Sequence, residues 1–150
     1  MKKSIATAFI CLFVLFACSE NKSAELIKQI NTTKTYDGKK VELEGRISVG
    51  SSLQVKSDNT VTITFQSSES DGTPQLIPLN LKNGEKKHGI IVNANPDGTF
   101  DNSQVKIYDD NGKELGPGSK AKLTATVHYA DSDQGEITPI FEDVKLVSAN

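Results

Sequence analysis

The apolar positions change period along the chain. Residues 5–17 form a nearly uninterrupted apolar run, with one Thr as the only polar residue, one residue beyond Lys2 and Lys3. A polar stretch, 19–23, follows. Leu26, Ile27 and Ile30 then recur at helical spacing, which predicts a short helix with Ser23 as its cap, Glu25 in its first turn and Asn31, Thr32 and Thr33 at its end. From Lys39 the period becomes two. Val41, Leu43, Gly45, Ile47 and Val49 alternate with Glu42, Glu44, Arg46 and Ser48, the pattern of a strand with one face inward. The glycine in its middle marks a bend or bulge.

The rest of the chain repeats this pattern between turns. Leu53 and Val55 continue the apolar series beyond Gly50, Ser51 and Ser52. Val61, Ile63 and Phe65 alternate with threonines after an Asp58-Asn59 turn. Residues 67–74 read as a polar loop, 76–81 as a strand whose Pro78 suits a sheet edge, and 82–87 as a charged turn around Asn83-Gly84. Ile90, Ile91 and Val92 form one short strand, and Val105, Ile107 and Tyr108 another. Residues 109–118 read as loop. Ala121, Leu123, Ala125, Val127 and Tyr129 then alternate strictly with polar residues. Beyond a hairpin loop at 131–135, Ile137, Pro139 and Phe141 fall on odd numbers but Val144 and Leu146 on even ones. A parity switch inside one strand predicts a β-bulge. Six to eight short strands with one short helix define an all-β class, a barrel or a sandwich.

A basic start followed by an apolar run is the pattern of a secretory signal, and the run is shorter than the roughly 20 residues that a spanning helix needs. It ends in Leu15-Phe16-Ala17-Cys18, which resembles the lipobox of bacterial lipoproteins. That resemblance implies removal of residues 1–17 and acylation of the Cys18 thiol, with the membrane as a partner through that lipid. It places the domain in the cell envelope, on the periplasmic or surface side of a membrane, the outer membrane being favoured. The only other cysteine, Cys11, would leave with the leader. The remaining chain would then offer no disulfide, thiolate metal site or cysteine nucleophile. The organisation expected is a leader over 1–17, the lipidated cysteine with its tether and helix over 18–38, and one domain over 39–150.

The strand layout over residues 39–147 resembles the OB-fold barrels of small envelope lipoproteins of Bacteroidetes-type bacteria. A long first strand with a mid-strand glycine, the late Gly118-Ser119-Lys120-Ala121-Lys122-Leu123 strand start and a final bulged strand carry the likeness. The resemblance implies a small Greek-key barrel used for binding. There is no clear helix between the third and fourth strands of the pattern, so a β-sandwich stays the alternative.

Charge narrows the partners. The full chain holds 17 basic and 19 acidic residues, and without Lys2 and Lys3 the balance is about −4. Such a domain has no general attraction to nucleic acid. The basic cluster Lys82, Lys86, Lys87 and His88 is the possible ligand face, together with the loop at 67–74 and the early strands. No aromatic stands beside it, whereas binders of single strands combine basic grooves with stacking rings. A single-stranded nucleic-acid or oligosaccharide binder is therefore the alternative reading. The leading one is a non-catalytic accessory module for another envelope protein, a glycan or a small ligand.

Two loops carry metal-like spacing. Asn93, Asn95, Asp97 and Asp101 stand at positions 1, 3, 5 and 9 of a calcium-loop pattern with Gly98 at 6. Position 12 is Gln104 rather than Glu, and a Pro-Asp-Gly turn between two strands explains the same residues. A weak calcium site is thus the lesser alternative, and no metal or other cofactor is expected. The loop with Asp131, Asp133 and Glu136 reads as a solvated hairpin tip, as does Asp109-Asp110-Asn111-Gly112. His88 and His128 are the only histidines, and no nucleophile elbow, zinc-protease helix or phosphate loop is present, so no catalytic residue is assigned.

Overall fold

A computed structural model describes residues 14–16 (backbone only), 19–131 and 135–149. Cys18 lies outside them, as do Ser132, Asp133 and Gln134 of the second acidic loop. The elements are β1 (Val14–Phe16), α1 (Glu20–Thr32), β2 (Lys40–Ser48), β3 (Thr60–Ser68), β4 (Pro74–Asn83), β5 (Gly89–Val92), β6 (Val105–Tyr108), β7 (Glu114–Leu115), β8 (Lys120–Tyr129) and β9 (Pro139–Ser148), with a 3-10 turn over Asn102–Gln104.

The class is all-β with a single short α-helix. One continuous sheet runs β7-β6-β5-β4-β3-β2-β8-β9, and β1 adds to β2 in parallel over Lys40–Glu42. Among the described residues all strands join this one sheet, as the OB-like layout expects. The period-two pattern is realised directly. Val41, Leu43, Ile47, Val61, Ile63, Phe65, Ile77, Leu79, Leu81, Ala121, Leu123, Ala125 and Val127 all bury their side chains in one core.

The two ends of the sheet meet through one backbone bond and two carboxylates rather than a strand ladder. Asp109 and Asp110 follow β6. Asp110 N donates to Leu146 O (2.9 Å), and Leu146 N donates back to Asp110 Oδ2 (2.6 Å). Asp109 accepts from Ser148 N at 3.0 Å. These bonds fasten the end of β6 to β9 and roll the sheet closed. The expectation that Asp109 sits on a solvated turn is corrected: the residue is 1% exposed. The turn at Asp110 and Asn111 is present, but it is built around a buried carboxylate.

Helix α1 begins earlier than its apolar spacing suggests. Ser19, not Ser23, is the N-cap, accepting from Lys22 N at 3.3 Å. Residues 19–23 are therefore cap and first turn, not tether. Ser23 is fully buried and its Oγ accepts from Glu44 N (2.8 Å), fixing the helix to β2. A polar side chain at a helix start has two uses, capping and docking, and only the position of the sheet chooses between them. Ala24, Ile27 and Ile30 then seal one end of the barrel.

Three strand limits also differ. The β3–β4 ladder reaches Ser68 and Pro74, so the loop is 69–73 rather than 67–74. Ser67 Oγ donates to Glu44 O, which gives this polar residue a buried role. Val55 forms only a single bridge to Val61, and β9 starts at Pro139 without Ile137. A short strand, β7, occupies part of the segment read as loop. Pro78 does sit on a locally open edge, because β5 pairs with β4 only at Lys82 and Asn83.

The late bulge is realised as expected, whereas the β2–β8 ladder runs without a register shift through Gly45, where the glycine serves a close approach instead of a bulge. A Cβ on Gly45 would stand 2.4 Å from Gln66 O and 2.7 Å from the Phe65 ring, so the glycine lets β3 cross closely over β2. In β9 the register slips between Thr124 and Thr126, setting Asp143 and Val144 against Ala125 alone, with Asp143 at φ +50°. Inward positions switch from odd to even at that residue, which the parity of the sequence had marked.

Candidate functional site

The sheet has a helix-covered end and an open end. At the open end, Leu53, Val55, Val61, Val92, Ala94 and Phe100 line a concavity of about 220 Å³ with Asn83 and Gly98. Val55 is 56% exposed, an apolar side chain held out by the loop between β2 and β3.

Where α1 begins, a larger concavity of about 490 Å³ is lined by Ser19, Glu20, Asn21, Glu44, Gly45, Arg46, Lys120, Ala121 and Ala149. Arg46 of β2 and Lys120 of β8 stand directly opposite each other in the ladder. Arg46 Nε lies 3.3 Å from Glu20 Oε1, and the guanidinium also donates to Gly118 O. Next along the same face, Lys122 pairs with Glu44 (3.4 Å) and Glu42 (3.9 Å). Among the described residues Lys120 has no ion-pair partner. Like charges directly across a strand pair are destabilising, so this end of the ladder is suited to an anion.

The basic cluster is split by the fold. Lys82 lies in β4, and Lys86 and Lys87 are exposed on the following turn. His88 turns away from them, at φ +46° with its Nδ1 3.0 Å from Asp110 Oδ2. That carboxylate also accepts the Leu146 amide, so His88 belongs to the barrel closure. No hydroxyl bonds to either His88 nitrogen among the described residues, and the pair supplies no nucleophile. His128 is outward on β8, 3.4 Å from Asp37 and 3.8 Å from Glu142.

The calcium-like loop spends its oxygens on itself. Asp97 Oδ1 accepts from the hydroxyl (2.6 Å) and amide (2.9 Å) of Thr99. Asp101 accepts from Ser103 in the same way and caps the 3-10 turn. Gln104, at position 12, accepts from Asp101 N and donates to Asn95 Oδ1. Asn93 N bonds to Gln104 O, closing the loop at its base. These bonds hold the Asp97 and Asp101 carboxyls below the usual carboxylate range, the hydroxyl contributing first in each. Asp58 is lowered likewise by Thr60. Among the described residues no group of three His, Cys, Asp or Glu side chains is placed to hold a metal ion.

Sequence reading missed Arg46 with Lys120, and Asp109 with Asp110. Each residue is an ordinary polar member of a strand or turn, and only the strand register pairs them. Comparison of the chain with protein-family models, curated proteins and solved structures found no match.

Proposed function

We propose that this chain is a lipid-anchored envelope protein whose OB-like barrel is a non-catalytic binding module. The leader over residues 1–17 is removed and Cys18 carries the acyl chains. The observation that carries the reading is Leu15-Phe16-Ala17-Cys18 ending an apolar run behind Lys2 and Lys3. It is supported by where the folded body starts. Ser19 caps α1, and the first core side chain among those described is Ala24. Every core side chain among the described residues thus lies behind Cys18. Among the described residues, cleavage would take away the three-residue β1 pairing, while β2 keeps β8 along Lys40 to Arg46. No helix among the described residues is long and apolar enough to cross a membrane, and two or more acyl chains hold a domain stably where one is marginal.

The partner is another envelope protein, a glycan or a small ligand, met at the open end of the barrel. The outer face of β3 and β4 carries Thr62, Thr64, Gln66, Leu76, Pro78, Asn80 and Lys82. These strand positions offer no ring on which a base could stack and the open-end concavity offers Phe100 alone, without a basic groove beside it, which favours this reading over a nucleic-acid binder.

Intact mass of protein extracted from membranes tests the anchor. Acyl mass on a chain beginning at Cys18 is expected, absent from Cys18→Ala. An uncut chain, or a Cys18→Ala variant that partitions with membranes like the wild type, would refute it. Capture of partners from a detergent-solubilised envelope extract, with Val55→Asp as the comparison, tests the open end. A partner retained equally by the variant would move the site elsewhere.

A further inference from the structure

We propose that the edge of β2 at Lys40 and Glu42 accepts an extended segment of a partner protein, which adds to the sheet in parallel where β1 lies in the uncut chain. This rests on the removal of residues 1–17. The backbone groups of β2 alternate in direction. Lys39 O accepts from Val127 N, while Ile47 donates to Ser119 O and accepts from Gly118 N, so the odd-numbered residues face β8. The even-numbered ones face away from it. Glu44 N donates to Ser23 Oγ, Glu44 O accepts from Ser67 Oγ, and from Arg46 onward β3 takes over the ladder. At Lys40 and Glu42 that ladder has stopped, and α1 packs against both β2 and β3. Among the described residues only β1 covers this stretch, with Val14 opposite Lys40, Leu15 opposite Val41 and Phe16 opposite Glu42.

Removal of β1 leaves the N–H and C=O groups of Lys40 and Glu42 as an unpaired strand edge, and such an edge is a template for adding a strand from another chain. It is bounded by the turn between Tyr36 and Lys39 and by the serine bonds at Glu44, so it takes a segment the length of β1, three residues. None of its residues lines the open-end concavity, so it is a second contact.

The register sets the chemistry of the occupant. Side chains alternate between the two faces of a strand, and residues paired across a ladder share a face. Val41 is fully buried, so the residue opposite it turns toward the core and should be apolar. The residues opposite Lys40 and Glu42 stand on the outer face. Among the described residues Lys40 has no ion-pair partner, and Glu42 meets Lys122 only at 3.9 Å, farther than Glu44 does at 3.4 Å. An acidic residue beside Lys40 and a basic one beside Glu42 complete these pairs. The partner therefore presents acidic, apolar and basic residues in that order along an extended stretch. Val14, Leu15 and Phe16 supply the apolar middle without either charge, which suits an occupant that is later replaced.

The test uses the mature protein extracted from membranes in mild detergent, its first residue checked by intact mass. Amide hydrogen exchange is read residue by residue, with and without the synthetic peptide acetyl-Thr-Glu-Leu-Lys-Thr-amide. Without peptide the Lys40 and Glu42 amides should exchange fast, while those of Val41, Leu43 and Glu44 stay protected. Excess peptide should restore protection at Lys40 and Glu42. The same peptide N-methylated at its leucine lacks the donor that faces the Lys40 carbonyl and should protect neither. Lys40→Glu should weaken the effect of the first peptide and strengthen that of acetyl-Thr-Lys-Leu-Lys-Thr-amide. Protection of Lys40 and Glu42 without peptide, equal protection by the N-methylated peptide, no protection by any peptide, or indifference to Lys40→Glu overturns the proposal. Failure of the leader reading shows in the mass. A chain that still begins at Met1 keeps β1 in place, and both readings fall; a chain cut before Cys18 that ignores the peptide sinks this proposal alone.

Discussion

Replacing Asp109 with alanine should open the barrel at its seam. The Asp109 carboxylate accepts from Asn111 N (2.9 Å), Lys113 N (2.8 Å) and Ser148 N (3.0 Å), and the residue is 1% exposed. A hydrogen bond to a charged acceptor contributes about 1.5–3 kcal/mol, and a buried donor left unpaired costs about 1–3 kcal/mol. The three bonds are not additive. Asn111 and Lys113 lie on an exposed turn where water can replace the carboxylate, whereas Ser148 N is held within β9. The expected net loss is therefore about 2–4 kcal/mol. For a domain of this size that lowers Tm by on the order of 10 °C. Urea denaturation of residues 19–150, followed by far-ultraviolet circular dichroism, measures it. Hydrogen exchange locates it: the Leu146 and Ser148 amides should lose protection before those of β3. Asp109→Asn should recover part of the loss, because its remaining oxygen can still serve the turn while its amide faces the Ser148 donor. A loss for Asp109→Ala below about 0.5 kcal/mol, the range of an ordinary surface substitution, would refute the view that carboxylates close this sheet.

Three further outcomes follow from the same geometry. Gly45→Ala should destabilise by roughly 1–3 kcal/mol, since the new methyl meets the Gln66 carbonyl and the Phe65 ring; a variant that melts with the parent would mean the crossing is looser than described. Asp143→Val, at φ +50°, should cost about 1–2 kcal/mol while Asp143→Gly is tolerated, and equal melting of the two would argue against a bulge there. Asp58, Asp97 and Asp101 should titrate below 3.8 in carbon-detected NMR. Because their folded values are depressed, the loop stability they give is present above the unfolded value and disappears as pH falls through the folded one. Asp97→Asn should blunt that acid response in the 93–104 loop, and an unchanged profile would show that Asp97 plays no part in it.

Much of the fold is legible in the sequence because most strands have one buried face. Alternation at residues 41–47, 61–65 and 121–129 sets the strands and their inward residues, and the parity switch before Val144 places the bulge to within a residue. Gly45 stands out in the sequence as a bend or bulge, and only the approach of β3 shows that it is the side chain for which there is no room. The proposal of a leader and of an acylated Cys18 rests on equally local evidence, a few consecutive residues. What the sequence could not settle lies in contacts between distant segments. Ser19 and Ser23 are alike as candidate caps, and only the proximity of Glu44 makes one a cap and the other a bond to the sheet. Asp109 and Asp110 look like any acidic turn until β9 brings the Leu146 and Ser148 amides to them. Arg46 and Lys120 are separated along the chain, and the register of β2 against β8 alone sets them side by side. Hydrophobic period is a property of neighbours a few residues apart. Charge pairing, burial of a polar group and the shape of a surface depend on which strands meet, and tertiary structure decides that.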